Sequence, residues 1–582
     1  MHVNPVEERP TNPRWKGGLV LALILMAVGF QVVALREQSL TGDGAHHLLA
    51  GHQALRYGQN TLNLEHPPLA KLVFALPSLA EEPLAPPLGV DGALAEVARV
   101  HGASGIHRAT FRARLVALLF LVFPLLWGCV VLGKTLGDGW TGWILAGMMA
   151  FSLSVLPYLT ILQTDTAVAL AFLATALAAR RYVLEPTWGR ALVLALAAGL
   201  ALVTKFSGIL LGPAVLVAFL LPAFQARSPQ GLRRSMGHLM LAGFVVWVVI
   251  DGTYWMANLS YSSSVGRETI QAYCQGRGTV VADERLASWE GFLLAVEEKD
   301  PFFAQWLTGF LALHNQNQIG VYASYAFGEV RSSGRWWYFP ALLLVKTPLV
   351  LVLCALWALG VFIRRGRWVA IPREVWPLWI AVGSYLLMAL LANYNLGVRH
   401  LLPVMAFLFL PMAQWLRRHL KWAPWVVVSL CLEALALSPL WMSATNTWWL
   451  GAANPTRFAL GAGNLEYRQN FVQLQQVAEE QGLEDLGVIY PTLGPQVLAA
   501  WLPEARLVEP GEVLRPGWYA VNVTVEQLVP ALIKAPPGSV YQGENLRQEA
   551  RRWERLWKAV QEGEDHGYVA GTFHLYRIRG GP

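Results

Sequence analysis

The sequence predicts an α-helical protein with many membrane spans, followed by a C-terminal α/β domain. Of its 582 residues, 55% are hydrophobic and only 14% are charged, whereas soluble domains carry about 25% charged residues. Apolar runs long enough to cross a bilayer recur up to about residue 442, and basic residues cluster between them. After that point, strand-like and helix-like patterns alternate.

Eleven hydrophobic segments approach the length of a membrane span. They are residues 18–35, 113–133, 140–157, 159–179, 190–204, 206–224, 238–257, 339–363, 374–392, 400–416 and 423–442. The first segment lacks a small-residue cleavage site, so we expect it to be retained as a span. With a cytoplasmic N-terminus, the basic clusters fall on the inner side, as the positive-inside rule requires, and the C-terminus lies outside.

These spans divide the chain into three parts. Residues 1–17 form a cytoplasmic N-terminus, residues 18–442 the membrane domain, and residues 443–582 an outer α/β domain. Two long loops, 36–112 and 258–338, are also predicted on the outer side. In the last part, residues 486–490, 517–523 and 573–578 have the pattern of strands, whereas residues 470–482 and 545–563 have that of helices.

Composition also excludes some classes of function. The net charge of +7 does not indicate nucleic-acid binding, because the basic residues lie between apolar runs and do not form a patch on a soluble face. The four cysteines show no CxxC or Cys/His ligand spacing. A zinc site or a disulfide framework is therefore not expected.

Two acidic residues lie where an acid needs a partner or a wet cavity. Asp43 follows the first span directly, and Asp165 lies about six residues into the fourth. Both are predicted to face one cavity at the outer leaflet. Two structural alternatives stand beside this reading. Asp43 is also a favoured type of residue for capping the following helix, and Asp165 could pin a helix contact through Gln163 and Thr164.

The sequence Glu65-His66-Pro67-Pro68 combines an acid, a titratable ring and two prolines. Prolines restrict the backbone, so this turn could hold His66 and Lys71 toward a phosphate. The alternative is that the prolines simply begin a helix. The nearby histidines at 46, 47 and 52 do not share one helix face, as metal binding would require.

Further basic residues lie near the predicted outer ends of spans. Arg399 and His400 precede a helix, where an arginine and a helix N-terminus favour a phosphate. Lys346 lies too deep in its span to reach water, so we expect it to have an anionic partner, and Lys205 belongs to the same basic rim. The alternatives are interfacial anchoring and control of helix orientation.

Six motifs follow one another in a recognisable order: GDGAHHLLAG, HPPLAKL, QTDTA, LVTKFSG, GRWWYFPALLLVKTP and NLGVRHLLP. Together they resemble the family 39-type glycosyltransferases, the protein mannosyltransferase and aminoarabinose transferase relatives with the GT-C membrane fold. The resemblance covers roughly residues 40–405 and is greatest to bacterial members. NLEYRQN, at 464–470, looks like a divergent form of an NLDWGQD motif of such proteins.

The resemblance implies an inverting transferase that uses a polyprenyl-phosphate-linked sugar at the outer face of a bacterial inner membrane. It assigns the role of base to Asp43 and that of a second acid, near the acceptor or a cation, to Asp165. Candidate residues for binding the lipid phosphate and sugar are Glu65, His66, Lys71, Lys205, Lys346, Arg399 and His400. The sugar, the acceptor (lipid, glycan or protein) and any requirement for a divalent cation are left open.

This sequence also departs from the family pattern. The usual acidic pair after the first span is Asp43-Gly44 here, and Tyr467-Arg468 and Asn470 replace the common Trp-Gly and Asp. Two other functions therefore compete with the transferase. One is a transporter or flippase for lipid or sugar, suggested by charges within spans, and the other is a non-catalytic envelope scaffold.

Overall fold

The computed structural model describes residues 29, 31–32, 35–80, 105–276, 281, 283–365, 371–446, 464–491 and 493–579. Most of the first predicted span, 18–35, and the Pro-rich part of the first outer loop lie outside these residues. The membrane portion is helical. Its long helices are Gly105–Leu136, Gly139–Phe151, Thr164–Leu184, Trp188–Thr204, Gly212–Ala226, Pro229–Ala257, Leu349–Arg365, Trp376–Leu391, Leu402–Arg418 and Ala423–Ala436.

Shorter elements connect these helices. They are Gly42–Tyr57, Pro68–Ala75, Leu156–Leu159, Ser263–Cys274, Glu284–Ser288, Glu290–Glu297, Pro301–Ile319 and Tyr338–Lys346, with 3₁₀ turns at Leu76–Ala80, Phe206–Leu211, Arg373–Val375 and Val398–Leu401. A two-stranded antiparallel hairpin, β1 (Ser324–Ala326) and β2 (Glu329–Arg331), lies in the second predicted outer loop. The two predicted loops thus contain much regular structure, as their length suggests.

A multi-pass helical architecture is confirmed, but the count of eleven spans is not. Among the described residues, five helices are long and apolar enough to cross a membrane, or six if one bent pair is a single span. That pair is Tyr338–Lys346 and Leu349–Gly360, which bend by 119° at Pro348. The bend follows from proline, which removes a helical hydrogen bond.

The predicted depth of Asp165 is wrong. The helix begins at Thr164, after a break at residues 160–163, so Asp165 lies in its first turn. Gln163 caps this helix by accepting a hydrogen bond from the Asp165 backbone N–H. The short helix Leu156–Leu159, which has Pro157 in its first turn, ends before this break, and the apolar character of the region hides the break from a hydropathy pattern.

The C-terminal part contains a five-stranded mixed sheet of strand order β4-β3-β5-β7-β6. Its elements are helix Phe471–Gln481, β3 (Gly487–Ile489), helix Pro495–Trp501, β4 (Arg506–Leu507), β5 (Gly517–Asn522), helices Val523–Lys534 and Gly543–Gln561, β6 (Glu564–Val569) and β7 (Phe573–Ile578). Strands β4, β3 and β5 are parallel, whereas β7 is antiparallel to β5 and β6. The three predicted strands and two predicted helices are all present.

Very close backbone packing positions the segments around residues 64–71. A Cβ atom at Gly51 would lie 2.1 Å from the carbonyl oxygen of Lys71, and one at Gly309 would lie 2.0 Å from that of Leu64. Glycine therefore allows helices Gly42–Tyr57 and Pro301–Ile319 to approach this turn from two sides. The turn is consequently held between them.

We expect Gly51→Ala to destabilise the protein, because its methyl group would collide with backbone that cannot rotate away. Overpacking of this kind costs about 1–3 kcal/mol. Gly243→Ala is the matched control, because no atom lies within 4 Å of its Cβ position; it should be neutral or stabilising. Thermal unfolding in detergent compares the two, and equal melting temperatures would contradict the packing described.

Candidate active site

One cavity of about 630 Å³ brings together side chains from distant parts of the chain. The first turns of helices Gly42–Tyr57 and Thr164–Leu184 meet there with the turn before Pro67 and the segments around residues 205 and 399. Seven of the nine predicted site residues line it: Asp43, Glu65, His66, Asp165, Lys205, Arg399 and His400. The other two, Lys71 and Lys346, do not.

Asp43 forms an ion pair with Arg399, with 3.0 Å between Asp43 Oδ2 and Arg399 Nη1. The same nitrogen donates a hydrogen bond of 2.7 Å to the Tyr467 hydroxyl, and the guanidinium carbon lies 4.6 Å from the centre of the Tyr467 ring. Asp43 does not cap its helix, since Thr41 holds the N-cap position. Burial raises the pKa of Asp43, but Arg399, His47 and His46 together outweigh this effect, so the pKa lies below its usual value.

The second acid has a separate cation. Asp165 pairs with Lys205 through a short contact, and both side chains are almost fully buried. The His400 ring nitrogen Nδ1 lies 3.9 Å from the same carboxylate oxygen. A buried charge is costly unless it is paired, so Asp165 and Lys205 stabilise one another at the cavity wall.

Histidines line the side of the cavity next to Asp43. The rings of His47 and His66 meet edge to face with their centres 4.8 Å apart, and His66 Nδ1 lies 3.4 Å from the Thr164 hydroxyl. Burial lowers the pKa of His47 to about 3, although Asp43 opposes this shift. Burial likewise lowers the pKa of His66 well below its usual value. Both rings are therefore neutral at physiological pH.

Arg399 lines the cavity and leaves part of its hydrogen-bonding capacity unused. Asp43 and Tyr467 both contact Nη1, whereas Nε is buried and has no hydrogen-bond partner, and Arg399 is only 7% exposed. His400 Nε2 and His47 Nδ1 are also buried without a hydrogen-bond partner. Buried polar atoms are normally hydrogen-bonded, so this group of atoms indicates a ligand site.

Two predicted phosphate ligands have protein partners elsewhere. Lys71 Nζ donates to the Asn63 carbonyl oxygen at 2.6 Å, and burial lowers the Lys71 pKa to about 7 despite the opposing charge of Glu65. Lys346 Nζ donates to the carbonyl oxygens of Met442 and Ala444 at 2.6 and 2.5 Å. The anionic partner expected for Lys346 is thus replaced by backbone carbonyls.

The segment 464–470 connects the cavity to the C-terminal sheet. Asn464 accepts a hydrogen bond from the Val398 N–H and donates to the Tyr338 hydroxyl, both at 3.0 Å. At its other end, the Asn470 amide donates to the hydroxyls of Ser443 and Thr572 at 2.9 and 3.1 Å. Because an aspartate has no such donor, asparagine suits this position.

The departures from the family pattern have local explanations. Gly44 is packed so closely that a Cβ atom would lie 2.8 Å from the Thr41 hydroxyl oxygen and 3.0 Å from Leu40 Cδ1, which leaves little room for a second acid. Arg468 stands where relatives have glycine and keeps a left-handed backbone, with φ 66°. Tyr467 supplies Arg399 with an acceptor that tryptophan lacks.

Sequence reasoning missed several cavity residues, including His47, Tyr322, Tyr394 and Tyr467. Tyr467 and His47 had a signal, since they belong to the quoted segments NLEYRQN and GDGAHHLLAG, whereas the two other tyrosines had none. Among the described residues, no group of three or more His, Cys, Asp or Glu side chains could hold a metal ion. The cation requirement left open by the sequence stays open.

We expect the stability of this segment to depend on pH through Glu466. Its buried carboxylate accepts bonds from the Arg468 N–H and the Tyr490 hydroxyl, and burial raises its pKa to about 7. The folded state therefore binds a proton more tightly than the unfolded state, and stability falls as pH rises from about 4.5 to 7. The loss is on the order of 3 kcal/mol.

Glu466→Gln should remove this loss, whereas Glu480→Gln, on the exposed face of helix Phe471–Gln481, should retain it. The measurement is the melting temperature of each protein at pH 5 and pH 8. The same pH dependence in wild type and Glu466→Gln would contradict the assignment.

Residues 105–255 match the family model described as dolichyl-phosphate-mannose-protein mannosyltransferase. No curated protein matches the sequence. The structure of ArnT from Cupriavidus metallidurans bound to undecaprenyl phosphate aligns over 97% of this chain and 99% of its own, with 13% identity and a TM-score of 0.43. Archaeal AglB from Archaeoglobus fulgidus, an oligosaccharyltransferase in complex with an inhibitory peptide and a dolichol-phosphate, aligns over 97% and 75%, with 12% identity and a TM-score of 0.41.

The family match covers the first turn that carries Asp165 and the segment that carries Lys205. Over these residues it confirms the resemblance to family 39-type glycosyltransferases that the motifs predict. Because several helices are also long and apolar enough to cross a membrane, the chain is a multi-pass membrane glycosyltransferase similar to the protein mannosyltransferases.

Proposed function

We propose that the cavity transfers a sugar from a polyprenyl-phosphate-linked donor to an acceptor hydroxyl, with inversion at the anomeric carbon. The observation that carries this proposal is the unused hydrogen-bonding capacity of Arg399 at the cavity wall. Its Nη1 is held by Asp43 and Tyr467, so Nε and Nη2 remain for two oxygens of one phosphate. Bidentate contacts of this kind are typical of arginine with phosphate.

Neighbouring side chains support a phosphate at this position. His400 follows Arg399 directly and has an unpaired Nε2, while the Lys205 ammonium, paired with Asp165, contacts the same carboxylate oxygen that lies 3.9 Å from His400 Nδ1. The sugar donor carries an activated leaving group, so these cations need only stabilise the departing phosphate. Glu65 and His66 line the same cavity and complete the proposed donor site.

Apolar side chains on another part of the wall suit the polyprenyl chain. Phe206, Ile209, Leu210, Leu313 and Met388 line the cavity, and Ile209 is 44% exposed. They come from helices that cross or adjoin the proposed membrane region. A lipid chain could therefore remain among apolar groups while its phosphate reaches Arg399.

In the proposed reaction, the Asp43 carboxylate accepts the proton of the acceptor hydroxyl. The acceptor oxygen forms a bond to the anomeric carbon as the bond from that carbon to the phosphate oxygen breaks. The bonding electrons leave with the polyprenyl phosphate, which Arg399 stabilises. Asp165, already neutralised by Lys205, holds that cation beside the acceptor or the phosphate.

The ion pair of Asp43 and Arg399 also links donor binding to basicity. In the absence of donor, Arg399 keeps the pKa of Asp43 low, which makes the carboxylate a weak base. A phosphate that shares the charge of Arg399 would raise the proton affinity of Asp43. The base would thus become effective when the donor is in place.

We also propose the membrane arrangement that the charge pattern predicts. The N-terminus, residues 1–17, faces the cytoplasm of a bacterial cell, and the cavity faces the outer side of its inner membrane. Loops 36–112 and 258–338 and the α/β part, 443–582, lie on that outer side. The family match favours the transferase over the transporter and the scaffold, and the acceptor is a lipid, a glycan or a protein.

Removal of either acid should slow transfer. We expect Asp43→Asn to lower the rate by about 10²-fold or more, because general base catalysis contributes about 10²–10⁴-fold, and Asp165→Asn to lower it by releasing Lys205. The assay measures the release of bare undecaprenyl phosphate from a sugar donor. The donors are undecaprenyl phosphate carrying mannose, glucose, galactose or aminoarabinose. Envelope membranes from cells lacking the gene supply the acceptor.

Asp485→Asn is the matched control, since this acid lies in the C-terminal part with an exposed side chain. Asp43→Asn should also bind bare undecaprenyl phosphate at least as tightly as wild type, because Arg399 loses a competing anion. Full activity in both Asp43→Asn and Asp165→Asn would refute the assignment of the acids.

Loss of the Tyr467 hydroxyl should weaken lipid-phosphate binding without abolishing it. Tyr467→Phe keeps the ring beside Arg399 but removes one hydrogen bond, worth about 1 kcal/mol, or about fivefold in affinity. Arg399→Lys should cost more, about tenfold or more, because lysine lacks the planar fork. Titration of undecaprenyl phosphate into protein in nanodiscs measures both, with Tyr541→Phe as control. Unchanged affinity in both variants would contradict the phosphate site.

A further inference from the structure

A second wall of the cavity carries uncharged polar and aromatic groups that the proposed transfer does not use. We call it the amide–tyrosine wall, and it consists of Asn63, Gln316, Asn317, Tyr322 and Tyr394, all of which line the cavity. The two tyrosine rings meet edge to face with their centres 5.4 Å apart. Tyr322 is 42% exposed, so one ring offers its surface to the cavity.

Hydrogen bonds fix this wall to the end of helix Pro301–Ile319. The Tyr394 hydroxyl donates to Gln316 Oε1 and its backbone N–H donates to Asn317 Oδ1, both at 3.2 Å. The Asn393 amide donates to the Asn317 carbonyl oxygen at 2.9 Å. The wall is therefore held in place before any ligand binds, which reduces the entropy lost on binding.

Some polar atoms of this wall are left for a ligand. Asn63 is 5% exposed, and its Oδ1 is buried without a hydrogen-bond partner. Gln316 is 1% exposed and uses Oε1 for Tyr394, so its amide N–H groups remain to donate. A buried polar group without a partner costs about 1–3 kcal/mol. A ligand with hydroxyl groups could both accept from Gln316 and donate to Asn63.

The charge of the wall is close to zero. The carboxylate of Glu65 adjoins the wall. Glu65 acts electrostatically on Lys71, so the positive charge that offsets Glu65 also lies nearby. The wall shares its cavity with the proposed base, since Tyr322, Glu65, Asp43 and Arg399 all line it. A ring bound against Tyr322 would therefore lie beside the reacting groups.

We propose that the amide–tyrosine wall binds an uncharged sugar ring, with a ring face on Tyr322 and hydroxyl groups on Gln316 and Asn63. The apolar C–H face of a pyranose packs on an aromatic ring, and amides bind its hydroxyls in both directions. This inference rests on the proposed function. The sugar belongs either to the donor or to a glycan acceptor, and both sources present the same chemistry.

The test compares bare and sugar-bearing lipid phosphate on the full-length protein in nanodiscs. In the donor arm, the probes are undecaprenyl phosphate alone and undecaprenyl phosphate carrying mannose, glucose, galactose or aminoarabinose. In the acceptor arm, the methyl glycosides of the same sugars are titrated into protein loaded with bare undecaprenyl phosphate, and binding is followed by saturation-transfer NMR.

We expect at least one neutral sugar to increase affinity in one arm, which identifies the source. Tyr322→Ala and Gln316→Leu should each reduce that increase about fivefold or more and leave the affinity for bare undecaprenyl phosphate unchanged. Gln318→Leu is the matched control, because it lies exposed on the same helix and does not line the cavity. Equal melting temperatures establish that the variants fold.

The inference is overturned if no neutral sugar adds affinity in either arm, if both variants bind like wild type, or if aminoarabinose binds more tightly than every neutral sugar. Arg399→Ala separates this failure from failure of the proposed function. This variant should weaken the binding of bare undecaprenyl phosphate. If that binding stays normal while Tyr322→Ala still reduces the affinity gained from the sugar, the phosphate site is refuted and the sugar site is retained.

Discussion

The contact between Arg399 and its two partners organises this site. Asp43 and Tyr467 both contact the same terminal nitrogen, while Nε of the same group, at the wall of the cavity, has no partner. Those partners are far apart in the chain, since Asp43 lies in helix Gly42–Tyr57 and Tyr467 follows the last predicted span. The candidate active site therefore cannot form until the chain has folded from residue 42 to residue 467.

The requirement that buried charges be compensated explains most of the remaining arrangement. Asp165 has Lys205, whereas Lys71 and Lys346 are satisfied by backbone carbonyl oxygens. Arg399 differs from these cations, because part of its hydrogen-bonding capacity remains unused. That difference separates Arg399, with its proposed functional role, from Lys71 and Lys346, which stabilise the fold.

Much of the fold and part of the site could be predicted from the sequence. The polar residues of the turn before Pro67, the acids and the Arg399-His400 pair were identifiable because such residues are rare beside a membrane. Seven of the nine candidates do line one cavity. These seven side chains meet because of the order of the segments and the side of the membrane on which each segment ends. Hydropathy and charge placement indicate both of these features well.

The errors have physical causes as well. A pattern of residues cannot show that backbone carbonyls replace an anion at Lys346, nor that a break precedes Thr164 and brings Asp165 into a first turn. Gly44 seemed to be a lost acid, yet the nearby Thr41 and Leu40 leave little space for any side chain. Tyrosines 322 and 394 carried no signal, because an aromatic residue near a membrane is usually an anchor.

The most direct test of the central claim is an experimental structure of the protein with undecaprenyl phosphate. We predict density for the phosphate within hydrogen-bonding distance of Arg399 Nε and Nη2 and close to His400, with the lipid chain along Ile209 and Leu313. A phosphate bound elsewhere, with the Nε–Nη2 edge of Arg399 unoccupied, would contradict the account.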